Sequence, residues 1–285
     1  MRYFKQLTVL SLYLCISLLA ACGGDSPELL SLDEQYINAV DDARIAEPHE
    51  ISYSLTPINN ENPDLIWEND EVGSRILVVT WLGDAGEYYK CTNPDGCSGN
   101  TSCIEGGECP NYRFDSWVTV VPEMKTFFGD IVPEPLRVAQ LLGLPPEVAV
   151  AGSSREYKYM LEMWVSPQDL FRPCPDPEIF DTACELNFPT DPLHMHDPND
   201  QVMATAGPDY GVFMVYPDWF AHQANYSYTL NDFPYPWTRL GYTYDWGSSN
   251  PVGLSEFVLH GRKVDGSTIS VGIKSVKTTA EYFME

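Results

Sequence analysis

Four cysteines at six-residue intervals, Cys91, Cys97, Cys103 and Cys109, constrain the fold of this chain more than any other feature. The segments between them, Thr92 to Gly96, Ser98 to Ser102 and Ile104 to Glu108, carry almost no core-forming side chains. Burial of apolar surface cannot order such a stretch, because it cannot offset the conformational entropy lost. Cross-links can. Three pairings are open: 91–97 with 103–109, 91–109 with 97–103, or an interleaved pair. Cys174 and Cys184 make a third expected bridge, closing the loop from Pro173 to Ala183. Structural zinc is the competing use of these thiols, but it favours a close Cys-x2–4-Cys pair, which five-residue gaps do not supply. The even set of six leaves no thiol over for catalysis.

Disulfides require an oxidising compartment, and the N-terminus supplies an export signal. Arg2 and Lys5 form a basic flank, Leu7 to Leu19 an apolar run too short to span a bilayer comfortably, and Ala20 and Ala21 a small-residue cleavage site. The run Leu19-Ala20-Ala21-Cys22 resembles the lipobox of bacterial lipoproteins. That resemblance implies cleavage after Ala21, lipidation of Cys22 by diacylglyceryl and amide-linked acyl chains such as palmitate, and stable anchoring by more than one chain. Gly23 follows the lipid site where an Asp would favour inner-membrane retention, so the resemblance implies an outer-membrane location, facing periplasm or cell surface. Cys15 leaves with the signal.

The chain is strongly acidic, with 41 Asp and Glu against 16 Lys and Arg and a net charge of −25. Between Tyr159 and Trp237 the sole Lys or Arg is Arg172, among twelve acidic residues. Such a field repels phosphate backbones, so no nucleic-acid partner is expected. It attracts cations or a basic partner, or serves solubility alone.

Removal of the signal (1–21) leaves a tether with a short amphipathic helix (22–48) and a globular domain (49–285). Leu32, Tyr36, Ile37 and Val40 give helical spacing over 32–42, after a Ser31-x-x-Glu34 capping box. Strands are expected at Ile51 to Leu55, Arg75 to Trp81, Trp117 to Val121 and Tyr157 to Val165, the last by alternation with Glu156, Lys158 and Glu162. Pro135 to Leu142 reads as a helix ended by Gly143, and Asp218 to Asn225 as a short one. Residues 172–209, rich in proline and acid, read as a long ordered loop region. Strands follow at Leu240 to Trp246, Ser255 to His260 and Thr268 to Lys274, with Asp265-Gly266 turning a hairpin between the last two. Thr279 is expected to cap a final helical turn. The fold class is α+β: a single β-rich domain with few short helices and disulfide-stapled loops.

Candidate chemistry is sparse. In an extended segment His194 and His196 share a face, and with Asp197 they can ligate a divalent metal such as zinc. Asp191, Asp197, Asn199 and Asp200 offer oxygen ligands suited to calcium, without an EF-hand pattern. A polar loop with two solvated histidines is the plain alternative to both. Eleven of the 36 aromatic residues fall in 216–246, Trp219 and Trp237 among them. Exposed, they would stack on sugars or partner side chains; the alternation of Leu240, Tyr242, Tyr244 and Trp246 instead favours packing. The order Arg239, Ser249, Glu256 occurs in some ADP-ribosyltransferases, with undiagnostic spacing. His222, His260 and Arg239 are the remaining acid–base trio. Arg172 and Arg239, lone cations in acidic surroundings, are expected to pair with carboxylates inside the fold. No Gly-x-Ser-x-Gly, P-loop or dinucleotide fingerprint is present.

The blocks Leu170-Phe171-Arg172-Pro173-Cys174-Pro175-Asp176-Pro177-Glu178-Ile179 and Pro236 to Gly247, running on to Ser255-Glu256-Phe257-Val258, resemble exported bacterial proteins of uncharacterised function. The expectation that follows is a lipid-anchored binding or accessory component of the cell envelope. Its partners would be the membrane, through its lipid, and a protein or glycan contacted by loops 91–109 and 172–209. The alternative is a secreted metal-assisted hydrolase using His194 and His196.

Overall fold

Ten residues, Ile269–Thr278, form the longest strand and lie deep in a seven-stranded antiparallel sheet. The computed structural model describes residues 30–89, 103–111, 115–190, 195, 201–205, 207–230 and 234–285. In chain order the strands are β1 (Ile76–Leu82), β2 (Glu108–Asn111), β3 (Ser116–Val120), β4 (Tyr159–Val165), β5 (Leu170–Phe171), β6 (Val202–Met203), β7 (Phe213–Met214), β8 (Tyr242–Tyr244), β9 (Val252–Ser255), β10 (Phe257–Leu259) and β11 (Ile269–Thr278). The α-helices are α1 (Leu32–Ala43), α2 (Glu123–Phe128), α3 (Pro135–Leu141), α4 (Tyr216–Asn225) and α5 (Thr279–Phe283). The main sheet runs β2-β11-β4-β1-β3-β10-β5, and β6-β7 and β8-β9 form two small pairs. The class is α+β, with the sheet dominant and the helices few and short.

Both faces of the sheet are covered. On one, Ile76, Val78, Leu161, Met163 and Ile273 pack with Ile58, Leu65, Trp67 and the Cys103–Cys109 bridge. On the other, Leu77, Val79, Trp81 and Met160 pack against Met124, Val138, Leu141 and Tyr282, contributed by α2, α3 and α5. This double cover explains β4. Its polar–apolar alternation predicts one wet face, yet six of its seven residues are buried. Glu162 is only 5% exposed and accepts a hydrogen bond from Ser275 Oγ at 2.6 Å on the neighbouring strand. A buried carboxylate is tolerated where a donor meets it.

α1 packs within the same unit as the sheet, which spans Leu32–Glu285. Its buried side is Tyr36, Ala39, Val40 and Ala43, a true i, i+3, i+4, i+7 stripe, whereas Leu32 and Ile37 stay exposed. Tyr36 meets Trp246 edge-on at 5.9 Å and donates to the Pro234 carbonyl at 2.6 Å.

Several expectations need correction. Ile51 to Leu55 forms no strand; Leu55 is buried and its N–H reaches the Thr182 carbonyl in a loop contact. The Asp265-Gly266 turn forms, with the Gly266 N–H on the Lys263 carbonyl, but it does not join a hairpin of sheet neighbours. β10 pairs β3 and β5, while β11 pairs β4 and β2, so the two strands leave the turn for opposite halves of the sheet. Local turn chemistry specifies the reversal and leaves the pairing to the hydrophobic faces. In β8 and its flank the supposed outer face is also buried. Thr243 donates to the Leu141 carbonyl at 2.6 Å, and Asp245 takes two hydrogen bonds from Arg137 of α3, at 2.8 and 2.6 Å. The last helix is capped by Thr278 rather than Thr279. Its hydroxyl accepts from the Glu281 N–H, and Glu281 returns a bond to the Thr278 N–H. Thr278→Ala should therefore cost about 1 kcal/mol of stability, read as a lower urea midpoint at constant slope. An unchanged midpoint would show that this box does not hold α5.

Two of the expected bridges are present. Cys103 pairs with Cys109, which removes the nested and interleaved alternatives for the evenly spaced set, and Cys174 pairs with Cys184 across a Cα separation of 6.2 Å. Cys91 and Cys97 lie outside the described residues. The second bridge packs beneath Gly241, whose φ is +74° and where an added Cβ would stand 2.7 Å from Cys184 Sγ and from Arg172 Cδ. No helix among the described residues is long and apolar enough to cross a membrane.

Candidate functional site

β1 and β3 are joined by only two residue pairs, Val78↔Val120 and Val79↔Thr119. β1 nevertheless stays paired to β4 along its full length, from Ile76↔Val165 to Leu82↔Tyr159. β3 likewise stays paired to β10 from Phe257↔Val118 to Leu259↔Ser116. Each strand follows its outer neighbour, and beyond Val79 the two separate. A cavity of about 570 Å³ occupies the opening, lined by Thr80, Trp81 and Leu82 of β1 and Ser116, Trp117 and Val118 of β3.

Leu161 and Met163 of β4 and Met124 of α2 add to the wall, and three loops bring in further side chains. The turn Asp84–Tyr89 brings in Tyr88 and Tyr89. It can approach because Gly86 lies against Tyr159, where a Cβ would come within 2.4 Å of the ring. The end of α4 and the turn after it contribute Gln223, Tyr226 and Ser227, and the chain around Trp237 contributes Tyr235. Behind Trp117 stands an aromatic cluster: Trp237 meets Trp117 at 6.0 Å, Trp219 at 6.2 Å and Phe220 at 4.8 Å between ring centres. The site is thus held by packed rings rather than by a free loop.

Two carboxyl groups interrupt this apolar lining. Asp115, just before β3, is 8% exposed, and Glu256, between β9 and β10, is 3% exposed. One oxygen of each is satisfied: Asp115 Oδ1 accepts from the Gly261 N–H at 2.9 Å, and Glu256 Oε1 from the Tyr235 hydroxyl at 2.9 Å. Asp115 Oδ2 and Glu256 Oε2 are buried with no hydrogen-bond partner. Burial pushes the Asp115 pKa up to about 7, against the pull of the Gly261 amide. It pushes Glu256 up to about 8, against the pull of Tyr235. A third acid, Glu123, lies behind the wall and is spoken for. It accepts from the Ser255 N–H at 2.8 Å, from Ser255 Oγ at 2.9 Å and from Thr119 Oγ1 at 3.3 Å.

The residues singled out from sequence fall elsewhere. Cys22, His194, His196 and Asp197 lie outside the described residues, as do Asp191, Asn199 and Asp200. Met195, between the two histidines, is buried in the aromatic cluster. Trp219 and Trp237 are 1% and 0% exposed, so they build the core and present no face to a sugar. His222, His260 and Arg239 do not converge. His222 stands 3.5 Å from Asp209, His260 packs on the Phe171 ring at 4.8 Å, and Arg239 donates to the Arg44 carbonyl at 2.6 Å. Of the two lone arginines, Arg172 follows the expected carboxylate pairing: fully buried, it stands 4.0 Å from Asp181 Oδ1 and donates to the Thr56 and Asp181 carbonyls at 3.1 and 3.0 Å, whereas Arg239 lies over the Tyr228 ring. Among the described residues no group of three or more His, Cys, Asp or Glu is placed to hold a metal.

Asp115 carries no sequence signal, being one acid among many. Glu256 had one, the residue order Arg239, Ser249, Glu256, but that order pointed to the wrong constellation. Ser249 sits in an exposed turn, and neither it nor Arg239 lines the cavity. The useful signal was the setting of Glu256, a lone acid flanked by strand-forming Leu254, Phe257 and Val258. Compared with known proteins, the chain matches no family model, no curated protein and no solved structure.

Proposed function

We propose that the protein is a lipid-anchored component of the cell envelope that binds a small ligand in the cavity between β1 and β3. The cavity carries the binding half of this reading. Its volume falls within the roughly 300–1,000 Å³ typical of small-molecule sites, and it combines apolar walls with a few convergent polar groups. The two partnerless carboxyl oxygens supply those groups. Burying a polar atom without a partner costs about 1–3 kcal/mol, a cost that a bound ligand relieves. The anchoring half rests on the signal anatomy and Cys22, with attachment to the outer membrane through its lipid. The two disulfides support an oxidising compartment. A glycan or protein partner at the surface loops is compatible with the same anchor. The alternative of a metal-assisted hydrolase rests on the spacing of His194 and His196 alone.

The test uses the mature protein in detergent. Trp81 and Trp117 line the cavity, so an occupant changes intrinsic fluorescence. Titration with three ligand classes, a primary amine, an organic acid and a neutral oligosaccharide, should give a saturable change with one class. A flat response to all three would overturn the binding reading. In cells, Cys22→Ser should move the protein from the membrane fraction to the soluble one; retention in the membrane would overturn the anchoring.

A further inference from the structure

Three observations on the cavity converge on one ligand chemistry. First, it contains two carboxyl groups more than nine-tenths buried, each with an oxygen that no protein donor meets. Second, no Lys, Arg or His occurs among its described lining residues. Among the described residues no counter-charge stands in the lining, and a ligand cation would supply one. Third, the walls present aromatic rings, Trp81, Trp117, Tyr88, Tyr89 and Tyr226 among them. Ring faces attract ammonium groups through their quadrupole, Trp most strongly, and more so once desolvated. The acidity of the whole chain adds long-range steering toward cations.

Resting on the binding reading above, we propose that the cavity is a site for an organic ammonium ion, an amine with an apolar body. Asp115 Oδ2 and Glu256 Oε2, buried without a partner beside the cavity, turn toward it to accept the N–H groups, and the aromatic walls enclose the carbon chain. A bare divalent metal fits less well. Hard cations take six or more oxygen ligands, or near-octahedral geometry with several waters, and among the described residues no third carboxylate, histidine or cysteine joins the pair in a metal-holding group. An anionic ligand would face both carboxyls without a compensating cation. A neutral ligand would satisfy the two oxygens as hydrogen-bond acceptors but gain nothing from the sign of the field.

Calorimetric titration of the mature protein in detergent separates these cases, with cadaverine, pentylamine and pentanediol as probes of matched carbon length. The amines should bind, and pentanediol at least about tenfold more weakly. Asp115→Asn and Glu256→Gln should each weaken cadaverine about tenfold or more, the ratio set by losing one charge-assisted hydrogen bond. The amide replacements keep the shape of the side chain, and the comparison of amine with diol needs no variant at all. Pentanediol binding as tightly as cadaverine would overturn the ammonium assignment while leaving the cavity a binding site. Absence of amine binding at millimolar concentration, or unchanged affinity in both variants, would overturn it as well. A flat fluorescence response to every ligand class, by contrast, would remove the binding reading itself.

Discussion

Trp237→Ala is expected to destabilise the protein by about 3–5 kcal/mol, the range for removing a large aromatic from a packed core. Trp237 is fully buried, and its ring touches the rings of Trp117, Trp219 and Phe220. Its carbonyl also accepts from the Tyr228 hydroxyl, whose single proton is shared with the Ala43 carbonyl at the end of α1, 3.0 Å away. The substitution opens a void between β10 and α4, directly behind the cavity wall. Trp237→Phe should cost much less, because it retains a ring and removes an indole N–H that has no partner. Urea denaturation followed by circular dichroism measures both. A loss under about 1 kcal/mol for the alanine variant would mean that the cluster is not the support described here. The same burial changes how a glycan-binding defect in Trp219→Ala or Trp237→Ala should be read: it would report a damaged core.

The second large effect is on pH. Asp115 and Glu256 both have folded-state pKa values, about 7 and about 8, above their ordinary values of 3.8 and 4.5. Below about pH 4 both states hold the protons and neither group affects stability. As pH rises from there, the unfolded chain releases protons that the folded protein keeps, so stability falls, and the loss is complete above about pH 8. Each pH unit of the window is worth about 1.4 kcal/mol per group, giving a combined decline of several kcal/mol between pH 5 and pH 8. Among the described residues the groups that meet them are the Gly261 amide for Asp115 and the Tyr235 hydroxyl for Glu256. Burial also raises Glu123, so it adds to the same slope. Stability in urea should therefore be higher at pH 5 than at pH 8, and Glu256→Gln should flatten the upper part of the decline. A variant as steep as the parent, or a stability maximum near pH 8, would contradict the burial of these carboxyls. Saturating cadaverine should make the slope shallower, since a bound ammonium favours the ionised form.

Much of the fold was legible. β1, β3, α3 and α4 lie within a residue or two of their expected positions, because each rests on a local property: a β-branched run, a proline at the first helical turn, a glycine past the last. Pairing was not legible. β10 and β11 sit either side of a good turn and still part, because a turn costs little whichever neighbours its strands choose. The choice belongs to faces that must be buried on two sides at once. For the same reason the alternation in β4 was misleading: Glu162 is polar, but Ser275 on β11 makes its burial tolerable.

The candidate site shows the same division more sharply. Sequence alone determined the acidic field and the even set of cysteines, and it raises the expectation of an export signal with a lipid-accepting Cys22, since each is a matter of composition or short spacing. Tertiary structure decided that Asp115 and Glu256, 141 positions apart in the chain, line one cavity with an unmet oxygen each. Nothing local to Asp115 foretells this, and the strand-forming neighbours of Glu256 point to its burial but not to its partner. It follows from β1 and β3 each keeping register with its outer neighbour, and from the opening that remains where those two loyalties diverge.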